Sequence, residues 1–191
     1  FSPSQQSPAS FKSDMQISQA KGDKWLISVF GNGNFNLRTT EQADQLVAAI
    51  KSIANEYGFD GVDLNLEGNS DRTTPDQWEW LPDAAADFCQ KIKTEMGQNF
   101  IVSAAPRPWE DYQREFAVKA GNNLDLFGYQ FYDIPELADD TYLKSHMMER
   151  VDQTVAAGIP ASKVLLGARI DSENGNHGSL QGYIDGWNEI E

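Results

Sequence analysis

Strand-like and helix-like segments alternate along the chain, and this order constrains the fold more than any other sequence feature. Five short runs rich in β-forming residues are each followed by a longer segment with apolar residues at helical spacing. Alternating strands and helices with short connections are typical of βαβ units, in which helices cover a parallel sheet. The sequence therefore predicts an α/β fold. Its five strands are centred on Leu26, Val62, Val102, Leu126 and Leu165.

The helix between residues 39 and 58 carries the clearest boundary signals. Thr39 and Gln42 form a capping-box pattern at its start, and Gly58 is a typical C-terminal stop. Leu46 and Ile50 repeat at helical spacing between these ends. Further helices are predicted within residues 11–22, 78–96, 109–121, 140–158 and 179–191.

Composition and charge exclude several classes of partner. The chain has 191 residues, of which 40% are hydrophobic, enough for one domain with a packed core. Its formal net charge of −14 argues against nucleic acid and anionic membranes, because binding phosphate needs clustered Lys and Arg. No apolar run is long enough to span a bilayer. The single cysteine, Cys89, allows no intrachain disulfide and no metal–thiolate cluster, and we expect it to be a small buried residue.

Residues 59–67, FDGVDLNLE, form a predicted strand with one apolar and one polar face. Successive side chains of a strand point to opposite faces. The first face holds Val62, Leu64 and Leu66, and the second holds Gly61, Asp63, Asn65 and Glu67. A parallel strand covered by helices on both faces would be apolar throughout. The polar face therefore predicts a barrel interior that carries an active site at the strand ends.

Two other interpretations of this strand stay open. In one, Asp63 and Asn65 only hydrogen-bond neighbouring strands and loops, although burying polar groups without a function is costly. In the other, Asp60, Asp63 and Glu67 hold a divalent cation. Their spacing lacks the mixed carbonyl and carboxylate pattern of a calcium loop.

The stretch DGVDLNLE resembles the D-G-x-D-x-D-x-E motif of family 18 glycoside hydrolases, the chitinases and endo-β-N-acetylglucosaminidases. Four further segments are similar to strands of that family in the same order: KWLISVFG, VSAAPRP, LDLFGYQFYD and KVLLGARI. The resemblance implies a (β/α)8 TIM-barrel fold, in which this chain covers about strands 3 to 7 with their helices. Residues 1–191 would then form a single, partial catalytic barrel domain without the first two strands and the eighth.

The resemblance also implies a mechanism and the residues that perform it. Glu67 would be the general acid that protonates the glycosidic oxygen, while the substrate's own N-acetyl oxygen attacks the anomeric carbon. Tyr132 would hold the acetamide carbonyl, and Asp63 would share a proton with the next acidic position. Asn65 occupies that next position, where the family has an Asp that orients the acetamide and stabilises the positive oxazolinium. The reaction would retain configuration and need no cofactor and no metal.

The substrate implied by the resemblance is an oligomer or polymer of β-1,4-linked N-acetylglucosamine. Phe30 stands where the family pattern has a Gly, and Trp109 is an aromatic residue on which a sugar ring could stack. The expected substrate-binding residues are Asp60, Gln130, Asp133, Phe30, Trp109 and Arg169. By analogy with the family we expect a secreted protein, and the oligomeric state is left open.

Asn65 leaves two functions open. An amide carries no charge for the oxazolinium, and loss of such a group typically costs on the order of 10²-fold in rate. The chain is then either a slow hydrolase, in which Asp63 supplies part of the missing charge, or a sugar-binding or hydrolase-inhibitor protein on the same fold. Because Glu67 is retained, we expect an enzyme.

Overall fold

The computed structural model describes residues 7–30, 36–66, 80–108, 111–169 and 177–190. Within these residues, helices connect the strands of one parallel sheet. The strands are β1 (Leu26–Phe30), β2 (Gly61–Asn65), β3 (Ile101–Ala104), β4 (Leu126–Gln130) and β5 (Val164–Gly167). The helices are α1 (Pro8–Gln19), α2 (Thr40–Tyr57), α3 (Pro82–Met96), α4 (Asp111–Ala120), α5 (Asp140–Ala156) and α6 (Leu180–Ile190).

The sheet keeps its strands in the order of the chain, β1-β2-β3-β4-β5, and every neighbouring pair is parallel. Each new strand therefore joins the same edge of the growing sheet. A βα barrel is built in this way, whereas a doubly wound sheet reverses its direction of growth partway. The predicted α/β fold with five parallel strands is confirmed.

The helix α2 begins and ends as the sequence predicts. The Gln42 N–H donates to Thr39 Oγ1 at 3.3 Å, and the Thr39 N–H donates to Gln42 Oε1 at 3.1 Å, which completes the capping box. At the other end Gly58 adopts a left-handed conformation with φ 87°, which glycine adopts without steric cost.

Two other helices begin at residues that the sequence analysis did not predict. α1 begins at Pro8, with Ser7 capping its first turn, and not at residue 11. α3 begins at Pro82 and not at residue 78, because Trp80 forms an isolated parallel bridge with Leu37. Proline suits the first helical position, where its missing N–H has no intrahelical partner. None of the described helices is both long and apolar enough to cross a membrane.

One face of the sheet packs into the helical layer and forms the core. Val62 and Leu64 of β2 are fully buried there, and Leu66 is 1% exposed. Neighbouring strands contribute Val102, Ala104, Phe127 and Tyr129 to the same core. The predicted apolar face of β2 is confirmed. The opposite face carries Asp63 and Asn65, and we call it the inward face.

Gly61 allows β2 and β3 to approach each other closely. It is the register partner of Ile101 in β3. A Cβ added to Gly61 would lie 2.3 Å from the Ile101 carbonyl oxygen and 2.8 Å from the Ile101 Cβ. A larger residue would force the two strands apart, so the close packing of β2 against β3 explains the glycine at position 61.

Lys93 connects α3 to the amino-terminal ends of β3 and β4. Its ammonium lies 2.6 Å from Asp125 Oδ2 and 2.9 Å from the Gln98 carbonyl oxygen, and the side chain is 2% exposed. The same Asp125 oxygen accepts the Val102 N–H at 2.7 Å. A buried ammonium is tolerated only when it is paired and hydrogen-bonded, as here. Cys89 is buried one turn earlier, as predicted, and burial raises the pKa of its thiol.

Candidate active site

A polar row crosses the middle of the inward face. Ser28 in β1, Asp63 in β2 and Ser103 in β3 are register partners on adjacent strands. The Ser103 hydroxyl donates to Asp63 Oδ1 at 2.6 Å, and the Ser28 hydroxyl donates to Asp63 Oδ2 at 3.1 Å. Each carboxylate oxygen of Asp63 thus has a hydrogen bond from a flanking strand, which fixes the carboxylate at the centre of the face.

Asn65 ends β2 and is bonded to Gln130, which ends β4. Gln130 Nε2 lies 2.7 Å from Asn65 Oδ1 and 2.8 Å from the Ala105 carbonyl oxygen. A backbone carbonyl can only accept, so the Gln130 atom that faces Ala105 is the amide nitrogen. The same NH2 group faces Asn65 and needs an acceptor there. Asn65 therefore turns its carbonyl toward Gln130 and its own NH2 away from it.

Tyr132 and Asp133 lie just beyond the carboxyl end of β4. The preceding Phe131 N–H donates to the Gly167 carbonyl oxygen of β5 at 3.0 Å, which extends the strand pairing to the start of this segment. Asp133 has φ 60°, a left-handed backbone conformation that is uncommon outside glycine. Its carboxylate forms an ion pair with Arg169, which follows β5.

A cavity of about 480 Å³ lies over the inward face, within the size range of small-molecule sites. Polar and aromatic groups enter it from four elements or their ends, and aliphatic residues fill the remaining wall. The side chains that matter for the argument are Asp63, Ser103, Gln130, Tyr132, Leu165 and Trp187. A sugar presents both hydroxyl or amide groups and an apolar ring face, so this mixture of groups suits a sugar ligand.

Comparison with known proteins decides the family. The model of the glycosyl hydrolases family 18 matches residues 3–182. The chain belongs to glycosyl hydrolase family 18. Chitinase Chi52 of Paenibacillus xylanexedens is 35% identical over 118 residues, a match that covers 56% of this chain and 22% of Chi52. The chain thus spans about a fifth of the length of that relative.

Solved structures show the same fold. A family GH18 chitinase from Chromobacterium violaceum has a TM-score of 0.74 at 21% identity, over 95% of this chain and 57% of that chain. The chitinase-like agglutinin RobpsCRA from Robinia pseudoacacia has a TM-score of 0.56 at 19% identity, over 84% of this chain and 55% of that chain. These likenesses confirm that the five strands are part of a βα barrel of the family 18 type.

The fold brings several of the predicted site residues of this chain together. Asp63, Gln130 and Tyr132 line one cavity, and Asn65 is bonded to Gln130. The ion pair of Asp133 with Arg169 lies in the segments that follow β4 and β5, next to Tyr132 along the chain. The roles of these residues toward a substrate remain predictions.

Three predicted residues are described only in part or not at all. The Cα of Phe30 is the register partner of Asn65, so the Phe30 backbone lies beside the end of β2. The Phe30 side chain, and all of Glu67 and Trp109, lie outside the described residues.

Asp60 lies at the opposite end of β2 from Asn65, and its assignment to substrate binding is corrected. Its Oδ2 accepts the Trp25 N–H at 3.0 Å and the Gln19 side chain at 2.7 Å, and its Oδ1 pairs with Lys24 at 3.1 Å. Partial burial acts to raise the pKa of Asp60, but the bonds from these three partners outweigh it and lower the pKa. Asp60 thus anchors the amino-terminal end of the sheet.

The same placement argues against a cation held jointly by Asp60 and Asp63. The two residues differ by three positions, so their side chains leave β2 on opposite faces. They also bind different partners, since Asp63 is bonded to Ser28 and Ser103. The described residues contain no group of three or more acidic, His or Cys side chains suited to a metal.

Trp187 on α6 lines the cavity, although the sequence analysis assigned it no site role. The spacing of Gly182 and Gly186 does indicate which side of α6 is packed. A Cβ added to Gly186 would lie 2.9 Å from the Met147 sulfur of α5, and one added to Gly182 would lie 2.3 Å from Asp140. The position of Trp187 over the sheet, however, depends on how α6 docks, which local sequence does not encode.

Proposed function

We propose that the protein hydrolyses β-1,4 linkages between N-acetylglucosamine residues in chitin or chito-oligosaccharides, with retention of configuration. One observation carries the proposal: in a family 18 chain, Asp63, Gln130 and Tyr132 line a single cavity over the inward face, and Gln130 and Tyr132 lie at the carboxyl end of β4. A purely structural role for Asp63 and Asn65 explains their hydrogen bonds but does not require the cavity beside them. Catalytic sites of βα barrels lie at this end of the strands.

In the proposed mechanism the substrate provides its own nucleophile. The N-acetyl oxygen of the sugar attacks the anomeric carbon and forms an oxazolinium, while Glu67 protonates the leaving oxygen. Tyr132 holds the acetamide by its carbonyl oxygen, so the attacking atom is aligned before the bond breaks. Glu67 then acts as a base for the water that opens the oxazolinium, which returns the product in its original configuration.

Where the family motif has two aspartates, this chain has the carboxylate of Asp63 and the amide of Asn65. The Oδ1 of Asn65 already accepts a bond from Gln130, and an amide supplies no negative charge for the oxazolinium. Among the described residues that line the cavity, Asp63 is the one with a carboxylate. We therefore assign to Asp63 the negative charge that compensates for the amide at position 65. The hydroxyls of Ser28 and Ser103 hold it in place. The proposal is therefore a hydrolase with slow turnover.

A second candidate function is sugar binding with little or no turnover. Two observations favour it: the amide at position 65, and the likeness of the fold to that of a chitinase-like agglutinin. Retention of Glu67 favours hydrolysis over binding alone, because a general acid is of no use to a lectin. By family analogy we also propose that the protein is secreted, which detection of the protein in culture medium would test.

The test uses the full-length protein with chitotetraose and, in parallel, with cellotetraose, which lacks the acetamide. The proposal predicts release of N-acetylglucosamine oligomers from chitotetraose alone, with the β-anomer formed first by ¹H NMR. Binding of chitotetraose without any product over days would favour the sugar-binding alternative. Cleavage of both substrates, or formation of the α-anomer first, would contradict substrate-assisted hydrolysis.

A further inference from the structure

The segment that carries Tyr132 is tied to the rest of the fold at three points. The Phe131 N–H donates to the Gly167 carbonyl oxygen at 3.0 Å. The Phe131 carbonyl oxygen accepts the Tyr183 hydroxyl of α6 at 2.5 Å, in a buried setting. Asp133 pairs with Arg169. Both neighbours of Tyr132 in the chain are thus anchored, one on each side.

The hydroxyl of Tyr183 is well suited to act as a permanent donor. Tyr183 is 7% exposed and Phe131 is fully buried, so their hydrogen bond is shielded from water. Burial raises the pKa of Tyr183, so the hydroxyl keeps its proton through the neutral range. Without this donor the Phe131 carbonyl would lose its side-chain partner in a site that water does not reach.

We propose that Tyr183 is a positioning residue for Tyr132, acting through the carbonyl of Phe131. The peptide that follows Phe131 leads directly into Tyr132, so fixing this carbonyl fixes the direction in which the Tyr132 side chain leaves the backbone. The inference takes the role of Tyr132 toward the acetamide from the proposed function, whereas the coupling between Tyr183 and Tyr132 stands on the geometry.

Two features show that the position of Tyr132 needs such support. The next residue, Asp133, is in the left-handed region, which is unfavourable for a residue with a Cβ and persists only where its surroundings hold it. On the other side, the Tyr132 ring lies against Gly167, with Cε1 3.5 Å from where a Cβ of Gly167 would be. A rotation of the Phe131 carbonyl would move the ring along this surface and out of line with Asp63 and Gln130 in the cavity.

The experiment compares Tyr183→Phe with Tyr129→Phe in the full-length protein. Tyr129 is a matched control because it is also a buried tyrosine, and its hydroxyl is bonded to Thr154 at 2.8 Å in the helical layer. For chitotetraose we expect Tyr183→Phe to lower kcat about tenfold with little change in KM, the effect of one lost hydrogen bond of about 1.4 kcal/mol. Tyr129→Phe is expected to stay within about twofold of the wild type.

A double-mutant cycle separates positioning from general support of the fold. In a Tyr132→Phe background there is no hydroxyl left to align, so Tyr183→Phe is expected to change kcat by less than about twofold. An equal loss of kcat with and without the Tyr132 hydroxyl would overturn the inference and show that Tyr183 only supports α6.

A second measurement decides the inference even if the protein cleaves no chito-oligosaccharide. With ¹³C-labelled tyrosine rings, the Tyr132 resonance is expected to shift in Tyr183→Phe and to keep its place in Tyr129→Phe. An unshifted Tyr132 resonance in Tyr183→Phe would overturn the positioning role. A shift together with an inactive wild type would retain the positioning role and overturn the proposed hydrolysis.

Discussion

The side-chain amide of Gln130 donates to the side-chain amide of Asn65, with 2.7 Å between Nε2 and Oδ1. The other Gln130 N–H is taken by the Ala105 carbonyl at 2.8 Å, so neither amide can turn over without placing two donors or two acceptors against each other. This contact joins the ends of β2 and β4 across β3. It also fixes the orientation of the Asn65 amide, with its carbonyl oxygen toward Gln130.

Replacing Asn65 by Asp is expected to raise kcat for chitotetraose by about tenfold or more. A carboxylate can still accept the bond from Gln130, and it adds the negative charge that a positive oxazolinium requires. Initial rates of the wild type and Asn65→Asp measure the effect. Asn55→Asp, an exposed substitution in α2, is the control for added charge. A rate for Asn65→Asp equal to or below that of the wild type would show that the amide does not limit turnover.

Replacing Gln130 by Met is expected to lower kcat/KM about tenfold. Met has a similar length but donates no hydrogen bond, so Asn65 and Ala105 lose a shared donor at a site where Gln130 is only 6% exposed. Steady-state kinetics on chitotetraose provide the measurement, with the exposed Gln90→Met in α3 as the control. Unchanged kinetics in Gln130→Met would mean that the orientation of Asn65 has no catalytic consequence.

Asp60 is expected to stabilise the fold at neutral pH and not at low pH. Because the folded-state pKa of Asp60 is lowered, its contribution is complete above the unfolded pKa of about 3.9 and is lost as the pH falls through the lowered folded value. Asp60→Asn should therefore reduce the free energy of unfolding by about 1 kcal/mol at neutral pH and by less near pH 2.5. Urea denaturation at both pH values measures this difference.

The control for that series is Asp152→Asn, at an exposed position of α5. It should leave the free energy of unfolding within about 0.5 kcal/mol of the wild type at either pH. A loss in Asp60→Asn that is the same at both pH values would contradict the assigned role of the Asp60 charge.

Lys93 is expected to matter far more for stability than its neighbour Lys91. Lys93→Met leaves the Gln98 carbonyl and the Asp125 carboxylate without their buried cation, at an expected cost of about 2–3 kcal/mol. Lys91 pairs with Asp44 and Asp87 at the surface, where water screens the charges, so Lys91→Met should cost much less than Lys93→Met. Urea denaturation of the two variants compares them. Equal losses would show that burial of the Lys93 pair adds nothing.

Much of the fold was readable from local sequence signals. The capping box of Thr39 and Gln42 and the stop at Gly58 predicted α2, because caps act within a few residues of the helix end. The period of two in β2 predicted a buried apolar face and a polar inward face. Where local signals compete they were less reliable: Trp80 was placed in α3, although it pairs with Leu37, a residue far away in sequence.

The site was readable only as far as single strands allow. Asp63 and Asn65 were assigned to one face correctly because their spacing fixes it. The alternation could also have excluded Asp60, whose side chain leaves the strand on the other face and at its opposite end. The bond of Gln130 to Asn65 and that of Tyr183 to Phe131 join residues 65 and 52 positions apart. Such contacts depend on strand order and helix docking, which no local pattern encodes.

Substitution of Glu67 by Gln tests the central claim most directly, with Glu56→Gln in the exposed part of α2 as the control. The general acid is needed most when the leaving group is a sugar and least when it is an activated aryl group. We therefore expect Glu67→Gln to lower kcat about 10³-fold on chitotetraose and much less on 4-methylumbelliferyl chitobioside, and Glu56→Gln to act as the wild type on both. Hydrolysis of chitotetraose by Glu67→Gln at the wild-type rate would contradict the account.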